Sequence, residues 1–176
     1  MDLKKNQPLE IAYGGVIAAL YVVLTFVAQA AGLASGAIQV RISEALCLLP
    51  CLMVSAVPGL TIGCVLANLL TGCAALDVVF GSLATLIGAL GTRALRNRPG
   101  LAWIPPVVSN TVIVPLVLIY VYHVPDVSVT IPFTQITLNG TGYLPLMATV
   151  GIGEVISICI LGTLVYQAAK KYMKRP

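Results

Sequence analysis

Six residues of this chain bring binding chemistry into places where it is energetically costly: Arg41, Glu44, Asn68, Asp77, Asn110 and Glu154. Each lies within or beside a long apolar stretch, and between Ile11 and Thr92 the only charged residues are Arg41, Glu44 and Asp77. A carboxylate offers acceptors only, a carboxamide both accepts and donates, and a guanidinium balances an acid. An acid at the centre of a membrane span costs roughly 2.5 to 3.5 kcal/mol, so such groups face a ligand, a cavity or one another rather than lipid. Arg41 and Glu44 stand three apart and share a face if the segment is helical. The pair reads as one wall of a binding site, or as a staple at a helix end near the membrane surface.

Glu154 is the strongest single candidate. Val150-Gly-Ile-Gly-Glu-Val-Ile-Ser157 sets a carboxylate deep in an apolar run with glycines beside it, and glycine lets a ligand or a neighbouring helix approach closely. The competing reading is a structural ion pair with Arg41. Asn68 and Asn110 fit ligand contact or interhelical hydrogen bonding. Asp77, ahead of Val78-Val-Phe-Gly81, fits a site acid or a helix cap. No phosphate loop, His-Glu-x-x-His, nucleophile elbow or paired intramembrane aspartates occur, so catalysis and direct ATP hydrolysis by this chain are not expected. Cys47, Cys51, Cys64, Cys73 and Cys159 lack metal-type spacing and read as small core residues. His123 reads as solvated or capping.

The elements that must position these groups follow from composition. At 59% hydrophobic and 9% charged over 176 residues, the chain is too apolar for a water-soluble domain of this size. Period-two alternation is confined to one loop, so the spans are helical, with backbone groups satisfied internally. The expectation is a single all-α membrane domain of six transmembrane helices at about 11–32, 43–57, 60–73, 78–93, 101–122 and 143–169. Ala28-Gln-Ala30 resembles a signal-peptidase site, but the spans that follow favour retention of the first. The second and third are short and are predicted to form a hairpin broken at Pro58-Gly59, spanning fully or re-entering. In the fifth, Pro115 is predicted to kink the helix.

In the outer loop 123–142, Val127-Ser-Val-Thr-Ile131 and Phe133-Thr-Gln-Ile-Thr-Leu138 alternate as strands do, with Asn139-Gly140 expected as a turn, which suggests a small extended lid. Basic residues in short loops stay cytoplasmic. Six spans place Lys4, Lys5, Arg93, Arg96, Arg98, Lys170, Lys171, Lys174 and Arg175 on one face, so both termini are expected in the cytoplasm and Arg41 on the outer side. The net charge of +4 is then a topology signal, and nucleic acid is not implied. Tyr13-Gly-Gly-Val-Ile-Ala-Ala-Leu20 pairs Gly14 with Ala18 and Gly15 with Ala19, four apart, as small residues do where another helix comes close. That face is expected to dock a partner helix, or to pack internally.

The motifs Val40-Arg-Ile-Ser-Glu-Ala-Leu46, Pro58-Gly-Leu-Thr-Ile-Gly-Cys64, Ala67-Asn-Leu-Leu70, Asp77-Val-Val-Phe-Gly-Ser-Leu-Ala-Thr-Leu86, Pro105-Pro-Val-Val-Ser-Asn110 and Gly151-Ile-Gly-Glu154, in this order, together resemble the QueT family. That resemblance implies the substrate-binding S component of an energy-coupling factor importer for queuosine precursors in a bacterial plasma membrane. It further implies a six-helix fold, an outward pocket covered by loops, and partnership with a membrane T component and two cytoplasmic ATPases; the small-residue spacing then makes the Gly14, Gly15, Ala18 and Ala19 face the expected docking surface for the T component. No cofactor or metal is implied. The outer segment from Val124 to Gly142 is longer than the family pattern leads one to expect.

A 7-deazaguanine presents a ring N–H beside an amino group, a donor pair that one carboxylate accepts in bidentate fashion, and its aminomethyl form adds a cation. Glu44, Asp77 and Glu154 against Arg41 leave a site charge of about −2, which favours the amine over a neutral nitrile. A stand-alone channel or secondary carrier, which internal inverted repeats would favour, and a membrane enzyme or assembly factor are the other classes considered.

Overall fold

The computed structural model describes residues 7–33, 40–121, 123, 126–130 and 137–173. Lys4, Lys5, Lys174 and Arg175, used above for orientation, lie outside the described residues, as do Ile131 and the stretch 133–136. The first helix, α1 (Gln7–Ala30), closes where Gly32 at φ +70° turns the chain, with Leu33 N–H donating to Ala28 O at 2.9 Å and Gly32 N–H to Gln29 O at 3.0 Å. This is the left-handed closure that glycine adopts without a Cβ clash. Helix α2 (Ala56–Leu70) ends in the same way at Gly72, φ +74°.

Between them, Ile42–Cys51 winds as a 3-10 helix. Its tighter turn eclipses every third side chain, so Glu44, Cys47 and Pro50 fall on one line, and all three are buried. The chain reverses over residues 52–55, not at Pro58-Gly59 as the sequence suggested. Pro58 instead occupies the first turn of α2, where its missing N–H has no helical partner to lose.

Helix α3 (Ala75–Ala94) and α4 (Ile104–Tyr120) follow, the latter carrying Pro115 inside it. The strands β1 (Asp126–Thr130) and β2 (Thr137–Thr141) pair antiparallel, from Asp126 opposite Thr141 to Thr130 opposite Thr137. The extended reading of the loop therefore holds, but Asn139 and Gly140 lie inside β2, opposite Ser128 and Val127, rather than in a turn. The last span runs continuously through α5 (Tyr143–Val155), a π-helical stretch (Ile156–Gly162) and α6 (Thr163–Met173).

The protein is a helical membrane protein with one β-hairpin among the described residues. Four helical stretches, Gln7–Ala30, Ala75–Ala94, Pro99–Tyr120 and Tyr143–Tyr172, are long and apolar enough to cross a bilayer. The two others fall short: ten residues of 3-10 helix reach about 20 Å and fifteen of α-helix about 22 Å, against a hydrocarbon core of about 30 Å. Large apolar side chains such as Leu20, Val23, Leu69, Val79, Leu90, Leu116 and Ile160 point outward, as they must in lipid.

Tight seams hold the bundle. A Cβ on Gly88 would meet Pro106 Cα at 2.7 Å, and one on Gly63 would meet Tyr21 Cβ at 2.7 Å, so α3 lies on α4 and α2 on α1 at near backbone contact. Arg93 donates from Nη1 to Pro50 O at 3.1 Å, tying the end of α3 to the end of the 3-10 segment.

Candidate functional site

The 3-10 segment packs against the π-helical stretch, and a Cβ on Gly162 would sit 3.2 Å from Ala45 O. Glu44 rides on the 3-10 segment and Glu154 sits at the end of α5, two residues before the π-helical stretch, so the two acids enter the same part of the interior beside local rewinding of a kind frequent at functional sites. Glu44 is fully buried. Its Oε1 accepts from Tyr21 Oη at 2.5 Å, and its Oε2 accepts from Cys47 Sγ at 2.8 Å and from Asn110 Nδ2 at 3.4 Å. Donors from α1, α4 and its own segment thus fix this carboxylate. Arg41 precedes the 3-10 helix in extended conformation and is half-buried, within electrostatic reach of Glu44, which points into the bundle.

Glu154 is 2% exposed. It is hydrogen-bonded to the Asn110 side chain and lies within electrostatic reach of Glu44 and Arg41, so the two acids, the amide and the guanidinium form one polar group. Among the described residues Glu154 Oε2 has no hydrogen-bond partner, and neither has Oδ1 of the fully buried Asn110. A buried acceptor left unpaired costs on the order of 1 to 3 kcal/mol. Two of them beside an already saturated carboxylate make a surface complementary to hydrogen-bond donors.

The remaining candidates gather nearby. A Cβ on Gly81 would lie 3.2 Å from Asn68 Nδ2 and 3.6 Å from Asp77 Oδ1, which brings those two polar groups together over a glycine. Asp77 lies in the first turn of α3, where the helix dipole favours an acid, three residues after Ala74 at the N-cap position. Asn68 donates to Cys64 Sγ at 3.6 Å, and Thr85 Oγ1 reaches the same sulfur at 3.4 Å. Cys64 lies in the same buried core as Tyr21 and Cys47.

Sequence reasoning missed Tyr21 and undervalued Cys47. Tyr21 is wholly buried in an aliphatic helix, and a buried phenol needs an acceptor, which was the available signal. Cys47 was read as core, but it stands one 3-10 turn from Glu44 and donates to it. All five cysteines are free. His123 is exposed at φ 51°, a left-handed conformation that histidine visits more readily than most residues.

The small-residue face of α1 divides in two. Gly14 and Ala18 are packed on α2: Cβ atoms built on Gly59 and Gly63 would meet Gly14 O at 2.7 Å and Ala18 O at 3.0 Å. They are internal packing rather than a partner surface. A Cβ on Gly15 would meet nothing within 4 Å among the described residues, and Ala19 is exposed.

The family described as QueT transporter matches residues 11–171. The chain belongs to that family. A curated QueT relative, the queuosine precursor transporter QueT of Lactococcus lactis subsp. cremoris (strain MG1363), is 34% identical over 85 residues, 48% of this chain. The matched part spans 50% of that relative's length. No solved structure matches the chain. The QueT match covers both acid-bearing segments and every residue of the polar cluster.

Proposed function

We propose that this chain is the substrate-binding membrane subunit of an ATP-driven importer and that it captures a 7-deazaguanine precursor of queuosine from the outer face. The observation that carries the reading is the pair of unpartnered buried acceptors, Glu154 Oε2 and Asn110 Oδ1, beside the saturated Glu44. In this arrangement Tyr21 and Cys47 orient Glu44, Arg41 offsets one of the two acids, and Glu154 accepts the ring N–H and adjacent amino group. Asp77 and Asn68 stand beside one another and receive the aminomethyl cation. The relative's name and the family match support the substrate class.

Native mass spectrometry of the purified full chain should show one retained small molecule with the mass of a 7-deazaguanine. Retention of a chemically unrelated molecule would overturn the reading. The cation's place is tested separately: Asp77→Asn should reduce the preference for the aminomethyl over the cyano form by about tenfold, or 1.4 kcal/mol. An unchanged preference in paired titrations moves the ammonium away from Asp77.

Six crossings, with both termini cytoplasmic, put the polar cluster in reach of the outer face, and this is the topology we propose. ATP hydrolysis then falls to two cytoplasmic partner subunits, with a membrane T component between. The open Gly15 and Ala19 edge of α1 is the proposed docking line for that component. The double variant Gly15→Leu with Ala19→Leu should abolish ATP-driven uptake yet leave ligand titration of the isolated protein within about twofold. Full uptake by the double variant would place the docking line elsewhere.

A further inference from the structure

We infer that the end of the bundle opposite the β-hairpin carries a binding site for an anionic phospholipid. A half-open groove of about 500 Å³ lies there, between the turn that joins α3 to α4 and the start of α6. Its volume is ample for a bound small molecule, for which about 300 to 1,000 Å³ is usual. The lining is graded. Gly100, Gln167 and Lys170 stand at the exposed mouth, while the buried Leu48 and the half-buried Trp103 and Cys159 form the apolar depth. A headgroup at one end and hydrocarbon at the other is the shape of a lipid rather than of a soluble metabolite.

Charge selects the class of lipid. The two segments that supply most of the groove, residues 92–103 and 159–173, contain no Asp or Glu but hold Arg93, Arg96, Arg98, Lys170 and Lys171. Arg93 is committed to Pro50 O, whereas Arg96, Arg98 and Lys170 are exposed. The Lys170 ammonium sits 5.6 Å from the centroid of the Tyr166 ring, which holds it over the groove by a cation–π contact that leaves its positive charge uncompensated. Trp103 donates from Nε1 to Gly100 O at 3.0 Å, fixing the indole against the wall of the groove below its mouth. Tryptophan and tyrosine favour this interfacial depth, and basic pockets between helices take anionic headgroups.

The test is native mass spectrometry of the delipidated full chain in detergent, titrated with phosphatidylglycerol or with phosphatidylcholine of the same chains. Phosphatidylglycerol should bind at least about fivefold more tightly, the effect of one basic residue at a charged membrane surface. Lys170→Gln should erase that preference and Lys170→Arg should keep it. Gly100 has nothing within 4 Å of a built Cβ and no positive φ, so Gly100→Phe should block the mouth without backbone strain and weaken phosphatidylglycerol about tenfold. Equal binding of the two lipids, or a preference that survives Lys170→Gln, overturns the proposal. Displacement of bound phosphatidylglycerol by millimolar glycerol phosphate overturns it as well, since it would reassign the groove to a soluble phosphate compound.

Discussion

Replacing Glu154 by Gln is expected to weaken binding of aminomethyl deazaguanine at least about a hundredfold, roughly 2.7 kcal/mol, while leaving the unliganded protein as stable as before or more so. The two effects have one physical origin. In the empty protein Glu154 is a buried acid beside a second acid, Glu44, with one guanidinium, Arg41, to offset both. The amide leaves Glu44 and Arg41 as a balanced pair and removes the second ionisable acid from beside Glu44, and exchanging a buried acid for a neutral group is neutral or stabilising in comparable sites. The ligand meets the opposite situation. A carboxamide of the same volume presents an NH₂ where the ring's own donors arrive, so one hydrogen bond is lost and a donor-to-donor clash replaces it.

Calorimetric titration and thermal unfolding of the same detergent-solubilised samples read both quantities. Unchanged affinity would remove Glu154 from the site and leave Glu44 or Asp77 as the acid that reads the ring. Lost affinity together with a lower melting temperature would assign Glu154 to the fold instead.

Much of this arrangement was legible before any coordinates. Intramembrane acids and amides are rare enough that composition alone singled out Glu44, Asn68, Asp77, Asn110 and Glu154, and the structure gathers Glu44, Asn110 and Glu154 into one polar cluster and sets Asn68 beside Asp77. Helix existence followed from length and apolarity, because lipid leaves the backbone no other solution at these lengths. What failed was local. Pro58-Gly59 looked like a break, but a proline is equally at home in the first turn of a helix, and only the tertiary seam of Gly59 on Gly14 distinguishes the two. The 3-10 winding of Ile42–Cys51 leaves no mark in hydropathy, so the direction of Glu44 could not be read from spacing measured for an α-helix. Asn139-Gly140 is a strong turn signal, but here it sits within paired strands, and ladder pairing overrode local preference. The small residues of α1 could not be divided between inside and outside from one sequence, since either face satisfies the same four-residue spacing.

That division yields the second large effect, on folding. Gly63→Leu is expected to lower the melting temperature by many degrees and to remove most monodisperse protein, whereas Gly15→Leu, on the same pair of helices, should melt like the parent. A side chain on Gly63 has no room: its Cβ would stand 2.7 Å from Tyr21 Cβ, 3.0 Å from Ala18 O and 3.1 Å from Ala18 Cα. Two of these three atoms are backbone and cannot turn away, so α1 and α2 must part along the whole seam. Overpacking a tight core costs typically 1 to 3 kcal/mol even where side chains can rearrange, and here they cannot. The damage also reaches the site, because the Tyr21 side chain that Gly63 admits is the one whose hydroxyl donates to Glu44. Gly63→Ala makes the graded test: it should retain folded protein but lose ligand affinity as Tyr21 is pushed off the carboxylate. If Gly63→Leu and Gly15→Leu melt together, the close approach of α1 and α2 is not what holds the binding acids in place.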